Sequence, residues 1–233
     1  MLLFYSLKKR GIMVKTKYMI LDFGGVIAGP STGHWDMTPK FLELIDITRL
    51  DIEKMKDVRK KYSYILSEHV VTLEEEYDMF TRFYDNILRE CGYPNYTKDM
   101  ADAIAYNRTY EFDKYRLYEG VKEELLELKK KYILLLLTDN WPCVIPYMKR
   151  YGIYDLFDKI YISSIYGVEK KDKVFFDYPI RDFHIKSGEA IFIDDNEKLL
   201  DIAKDKGLDV RLMDRENKVI GSKYKLIKSL NCL

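Results

Sequence analysis

The sequence predicts an α/β fold: a parallel β-sheet flanked by helices, with an all-helical segment inserted after the first strand. Three observations predict it. Apolar runs of strand length recur at 18–22, 132–137, 159–163, 190–194 and 209–213. From Gly120 onward these runs alternate with stretches of helical periodicity, and that spacing implies right-handed βαβ units. The opening run stands apart from the rest, separated by a long block with helical patterns and no convincing strand.

The first run passes from Tyr18 through Asp22 to Gly24, Gly25 and Ile27. In a parallel sheet, ligands gather outside the carboxyl ends of the strands. A carboxylate at such an end, followed by backbone free to take unusual φ/ψ, suits a nucleophile or a metal ligand, as well as an ordinary strand–turn aspartate. Asp22 to Gly24 also spells the Asp-Phe-Gly of protein kinases. That motif needs a Gly-rich loop, a strand lysine and a catalytic loop before it, and residue 22 leaves no room for them.

Gly29, Pro30 and Gly33 then punctuate a loop carrying His34 and Trp35. Both are candidate substrate contacts; the preferred reading packs Trp35 under the helices and leaves His34 solvated. Thr38 and Pro39 form an N-cap and first turn ahead of Phe41, Leu42, Leu44 and Ile45. Ile52, Met55, Tyr62, Ile65 and Leu66 continue an apolar stripe. Thr72 and Glu75 are spaced as a capping box, opening a helix that runs to Cys91 and stops at Gly92. A further helix covers 98–108.

After Gly120 a helix over 121–131 puts Val121, Leu125 and Leu128 on one face, and 132–137 reads as a strand buried on both sides. A helix over 142–151, stopped by Gly152, leads to the strand at 159–163. A helix around 173–184 leads to 190–194. A helix over 197–206, capped by Gly207, leads to 209–213.

Composition narrows the class. The 233 residues can hold a core domain with an insertion, and 47% hydrophobic content supports a sizeable core and excludes wholesale disorder. The 39 basic and 38 acidic residues nearly cancel, so no global field draws the chain to nucleic acid or membrane. Cys91, Cys143 and Cys232 have neither zinc spacing nor a disulfide framework, which fits a reducing, cytoplasmic location. The apolar run at 2–7 follows no charged segment and is shorter than a signal-peptide core, and no run approaches the ~18 apolar residues of a membrane span. Met13 or Met19 are alternative starts to Met1, which would make 1–12 an extension outside the fold.

Polar residues collect at the strand ends. The first strand ends at Asp22, the second at Thr138, Asp139 and Asn140, and the third leads through Ser163 and Ser164 to Gly167, Lys170, Lys171 and Asp172. The fourth ends at Asp194, Asp195 and Asn196. In a parallel sheet these ends share one edge, which brings three carboxylates near a hydroxyl and an amine. Two like charges about 4 Å apart repel by roughly 4 kcal/mol at an effective dielectric of about 20. Such a cluster needs a cation or protons, and hard oxygens with an open position suit Mg2+. Thr138 could hydrogen-bond a phosphoryl oxygen, and Lys170 or Lys171 could neutralise developing charge. Singly, each residue has a plain structural role: a strand-end cap, a solvated loop lysine, the N-cap of the next helix. Four strand ends in this order argue for a site.

In these motifs the chain resembles the haloacid dehalogenase (HAD) superfamily, in the group with a helical cap inserted after the first motif. Asp22 matches the nucleophile, Thr138 the second motif, Lys170 the third and Asp194–Asp195 the fourth; Gly167 to Asp172 is similar to Gly-x-x-Lys-Pro-Asp, with Lys171 in the proline's place. The resemblance spans 18 to about 214, and in detail the chain is similar to the branch holding the phosphatase domain of soluble epoxide hydrolases and bacterial glucose-1-phosphate phosphatases. It implies a Rossmann-like core from 1–28 and 117–233, with a helical cap over 29–116 hinged near Gly29 and Gly120. It implies a Mg2+-dependent phosphatase acting on a small phosphorylated metabolite through an aspartyl-phosphate on Asp22. Gly24, Gly25, Thr138, Asp139 and Lys170 would surround the phosphate. Asp22, the Gly24 backbone carbonyl, Asp194 and Asp195 would hold Mg2+, with Asp195 as direct ligand. Two departures bear on this. Gly24 stands where similar phosphatases carry an acid–base aspartate, a group that contributes typically about 10²–10⁴-fold, and Asp139 stands where asparagine is common. A phosphate- or partner-binding protein with little turnover is therefore the alternative. A 2-haloacid dehalogenase, which needs neither that aspartate nor a metal, is a third reading, set against by the Asp194–Asp195 pair.

Overall fold

The computed structural model describes residues 16–232; the apolar run at 2–7 and the starts at Met1 and Met13 lie outside the described residues. Strand β1 (Tyr18–Leu21) runs straight into the loop carrying Asp22. A short strand, β2 (Ala28–Pro30), then leads to the helices α1 (Pro39–Leu44), α2 (Ile52–Lys61), α3 (Leu73–Cys91) and α4 (Lys98–Tyr110). The chain returns through β3 (Tyr115–Leu117), which pairs antiparallel with β2, Ala28 opposite Leu117 and Pro30 opposite Tyr115. This ribbon joins both crossings between the two parts of the molecule.

The remainder alternates: α5 (Val121–Lys129), β4 (Ile133–Thr138), α6 (Val144–Arg150), β5 (Lys159–Ile162), the single turn α7 (Ser163–Tyr166), α8 (Asp177–Asp182), β6 (Ala190–Asp194), α9 (Glu197–Asp205), β7 (Asp209–Met213) and β8 (Leu226–Ile227). Six strands form one parallel sheet in the order β5-β4-β1-β6-β7-β8. The α/β class and the helical insertion read from the sequence are therefore present. Leu134 and Leu136 face one helical layer with Met19 and Leu21, while Leu135 and Leu137 face the other with Tyr18 and Ile20. Burial on both faces is why these strands read as continuous apolar runs.

Several boundaries differ from expectation. Ser163 opens α7 rather than closing β5, and the helix expected from Pro142 begins at Val144. The helix expected over 173–184 is a 3₁₀ turn, Lys173–Phe176, followed by α8, with Pro179 inside the first turn, where no amide is needed. The ribbon β2–β3 and the edge strand β8 were not anticipated.

The inserted helices share a core of their own. Met79, Phe80, Phe83, Tyr84, Ile87 and Leu88 form the buried stripe of α3, packed with Ala101, Ile104 and Ala105 of α4. At the start of α3, Glu75 N–H donates to Thr72 Oγ1 (3.1 Å) and Glu75 Oε2 accepts from the amides of Thr72 (3.0 Å) and Val71 (2.8 Å). Gly92 ends it in the left-handed conformation at φ 70°. Among the described residues no helix is long and apolar enough to cross a membrane.

Candidate active site

β1 lies between β4 and β6, and the chain builds one side of the sheet before returning to build the other. Asp22, just past β1, therefore occupies the switch point where the flanking loops part to leave a crevice. Its amide donates to Ile193 O (3.0 Å), which fixes it against the end of β6.

Lys170 reaches this point from the loop after α7, its backbone N–H held by Asp139 Oδ1 (2.9 Å). Its Nζ lies 2.7 Å from Asp194 Oδ2 and 2.9 Å from Asp22 Oδ1, and the residue is only 2% exposed. Burial opposes its charge, but Asp194, Asp22 and Asp139 outweigh it and hold the amine protonated. Asp194 is fully buried, and its other oxygen accepts from Asn196 N–H (2.8 Å). Asp195 keeps access to solvent.

One carboxylate oxygen from each of Asp22, Asp194 and Asp195 lies within 4.8 Å of the other two. Lys170 brings one positive charge to three negative ones. Burial pushes Asp22 up to about 8, with Lys170 pulling it down and Asp194 raising it further; burial and Asp194 push Asp195 up to about 6. Asp22 Oδ1 is shut from solvent, with the Lys170 ammonium beside it at 2.9 Å. An all-oxygen set with surplus negative charge fits a small divalent cation such as Mg2+.

The two glycines act differently. Gly25 has φ +69°, and a Cβ there would stand 2.1 Å from Asp195 Oδ2; its amide donates to Ala28 O (2.9 Å), so it serves the site by its missing side chain. Gly24 has no left-handed φ. A Cβ on it would meet Trp35 Cη2 at 3.2 Å and Cζ2 at 3.4 Å. The indole occupies the space into which a side chain at position 24 would project.

A cavity of 330 Å³ opens over Asp22, Lys170 and Asp195, closed from the helical side by Trp35, Arg108 and others. Asp139 and Gly24 also line it, whereas Thr138 is buried at the end of β4 and does not. Lys171 points away, paired with Glu169 (2.7 Å). His34 is exposed. Trp35 corrects the sequence reading: it is not packed under the helices but 44% exposed on the cavity wall, edge-on to Tyr115 at 5.9 Å. Arg108 and Trp141, also on that wall, were missed. A signal for Arg108 exists, since it follows Ala101, Ile104 and Ala105 at the spacing of α4's buried stripe.

A family model described as haloacid dehalogenase-like hydrolase matches residues 16–205. Over 172 residues the chain is 27% identical to glyceraldehyde 3-phosphate phosphatase of Pyrococcus furiosus, covering 65% of this chain and 70% of that protein. Over 93 residues, 36% of this chain, it is 32% identical to D-ribitol-5-phosphate phosphatase of Bacteroides thetaiotaomicron, and spans 45% of that relative's length. A HAD family enzyme from Bacteroides thetaiotaomicron, solved in complex with magnesium and inorganic phosphate, superposes with a TM-score of 0.62 at 19% identity, covering 87% of this chain and 96% of that one. At that identity the likeness is one of fold.

Proposed function

The chain belongs to the haloacid dehalogenase-like hydrolases, and on that premise we propose that it is a Mg2+-dependent phosphatase of a small phosphorylated metabolite. The observation that carries this reading is the Asp194–Asp195 pair beside Asp22, three carboxylates within 4.8 Å with one buried lysine among them. Halide departure needs no such cation-binding set, while phosphoryl transfer does. The two curated relatives bear the names of phosphatases acting on small phosphate esters.

Asp22, Asp195 and the Gly24 carbonyl are the groups proposed to hold Mg2+. Asp194 supports from behind, since Lys170 and Asn196 already engage its two oxygens. Bound there, Mg2+ would neutralise phosphoryl charge and draw Asp22 into its ionised form. An Asp22 oxygen then forms a bond to phosphorus as the ester oxygen–phosphorus bond breaks, and the departing oxygen takes a proton from water, since Gly24 offers none. Water attacks the aspartyl-phosphate, releasing inorganic phosphate and restoring Asp22. Lys170 stays charged to stabilise the transferring group, and Asp139 holds its loop. The helical lobe, 29–116, is assigned as a cap over a core formed by 1–28 and 117–233.

Hydrolysis of p-nitrophenyl phosphate tests this. Release should require Mg2+ and fall by at least about 10³-fold in Asp22→Asn. Undiminished release in chelator, or in the variant, would sink the mechanism. Trp35 in the place of an acid–base side chain favours a second reading, a phosphate-binding protein with little turnover. Saturable phosphate binding with no release from any ester would establish that one instead.

A further inference from the structure

Arg108 is a charged residue on an apolar stripe. It follows Ala101, Ile104 and Ala105 along α4 and is only 4% exposed. Its guanidinium lies against the rings of Phe80 (4.3 Å) and Trp141 (5.6 Å), and Nη1 donates to the carbonyl of Trp35. Trp35, Trp141 and Arg108 all line the cavity over Asp22. Nε has no acceptor although it is shut from water.

The charges around it do not balance. Among the described residues no carboxylate comes within ion-pair distance of Arg108. Glu76, buried alongside, lies 4.0 Å from Lys114 Nζ and accepts from the amide of Cys143 (2.7 Å). Lys114, Arg108 and Glu76 thus form a buried set of two cations and one anion, and Asp36, the carboxylate that also acts on Arg108, is already paired with Arg59. The other cations of the cavity are engaged: Arg59 with Asp36, Lys170 with Asp22 and Asp194. An under-compensated buried charge is costly to a fold, and a guanidinium whose Nε–H lacks an acceptor matches a carboxylate in both charge and geometry. A hydroxyl would satisfy the donor and leave the charge unbalanced.

We propose that Arg108 binds a carboxylate on the organic half of the ester, so that the substrate is a small phosphorylated carboxylic acid. This rests on the phosphatase reading above, and it makes Arg108 a specificity-determining residue contributed by the helical lobe.

The test compares kcat/KM for 3-phosphoglycerate and glycerol 3-phosphate, which share length and phosphate position and differ in the carboxylate. Wild type should favour the acid by about 10- to 100-fold, the range of a charge-assisted hydrogen-bonded contact. In Arg108→Gln that ratio should fall to about one, with Arg108→Lys between, since it keeps the charge and loses the fork. Equal wild-type rates, a ratio unchanged in Arg108→Gln, or an equal loss on both esters would overturn the assignment. Thermal melts report folding; should Arg108→Gln not fold, the wild-type and Arg108→Lys ratios decide. If neither ester is hydrolysed, p-nitrophenyl phosphate decides the phosphatase reading separately, and calorimetry with the same two esters decides for Arg108. Tighter binding of the acid, reduced in Arg108→Lys and lost in Arg108→Gln, upholds it, and equal binding overturns it.

Discussion

A side chain on Gly24 would press on the Trp35 indole at 3.2 Å, while the backbone there is free of left-handed strain. Restoring an aspartate is therefore a matter of room rather than of φ. Gly24→Asp alone should lose about 1–3 kcal/mol by overpacking and gain little turnover. Combined with Trp35→Ala it should turn over faster, most for alkyl phosphates, whose departing oxygen needs a proton. Melting temperature and kcat on glycerol 3-phosphate and p-nitrophenyl phosphate check this; a stable single variant with raised turnover would show that the indole is no obstacle. Asp22, Lys170, Asp194 and Asp195 were legible in the sequence because each follows directly from a strand end or the loop beyond one, and strand direction places them. Trp35 was not, because its position depends on how the helical lobe docks. That docking rests on contacts as distant in sequence as Val70 N–H to Ser164 O (3.1 Å) and Cys143 N–H to Glu76.

Elements with strong local chemistry followed the sequence closely. The Thr72–Glu75 box and the Gly92 stop bound α3 as their residue types require. Thr72→Ala removes the acceptor for Glu75 N–H, and should cost about 1 kcal/mol in chemical denaturation. No change in midpoint would mean that the two contacts of Glu75 Oε2 hold the helix start without the hydroxyl. Elements whose pairing is long-range were illegible. β2 is Ala-Gly-Pro, with a strand-breaking composition, and exists only because β3 lies beside it. β8 is two residues completing the edge beside β7. Such short segments carry no period to read, and partners far along the chain decide their conformation.

Across the whole molecule, the carboxylate cluster links stability to pH and metal. Asp22 and Asp195 have folded-state values raised above those of an unfolded chain, so folding favours their protonated forms. The stability they contribute is present at low pH and lost as pH rises, through about 6 for Asp195 and about 8 for Asp22. Asp46, Glu75 and Glu90 are shifted the other way, and their contribution is already complete above the ordinary carboxylate range. Metal-free protein should therefore melt lower at about pH 8 than at about pH 5, and Mg2+ should raise the melting temperature most at the upper end. A metal-free melting temperature that climbs across this window, or one indifferent to Mg2+, would contradict the site. The ribbon has a kinetic meaning as well. β1 must find β4 more than a hundred residues away, Leu21 beside Leu136. Once the inserted helices have formed and Ala28 has met Leu117, the chain left to close between those strands is roughly a quarter as long, which lowers the closure cost by about 1.2 kcal/mol. Pulse-labelling hydrogen exchange should find amides of α3 and α4 protected before those of β4, and the reverse order would refute it. The clasp that lets an insertion interrupt the sheet is thus also a shortcut by which the sheet finds itself.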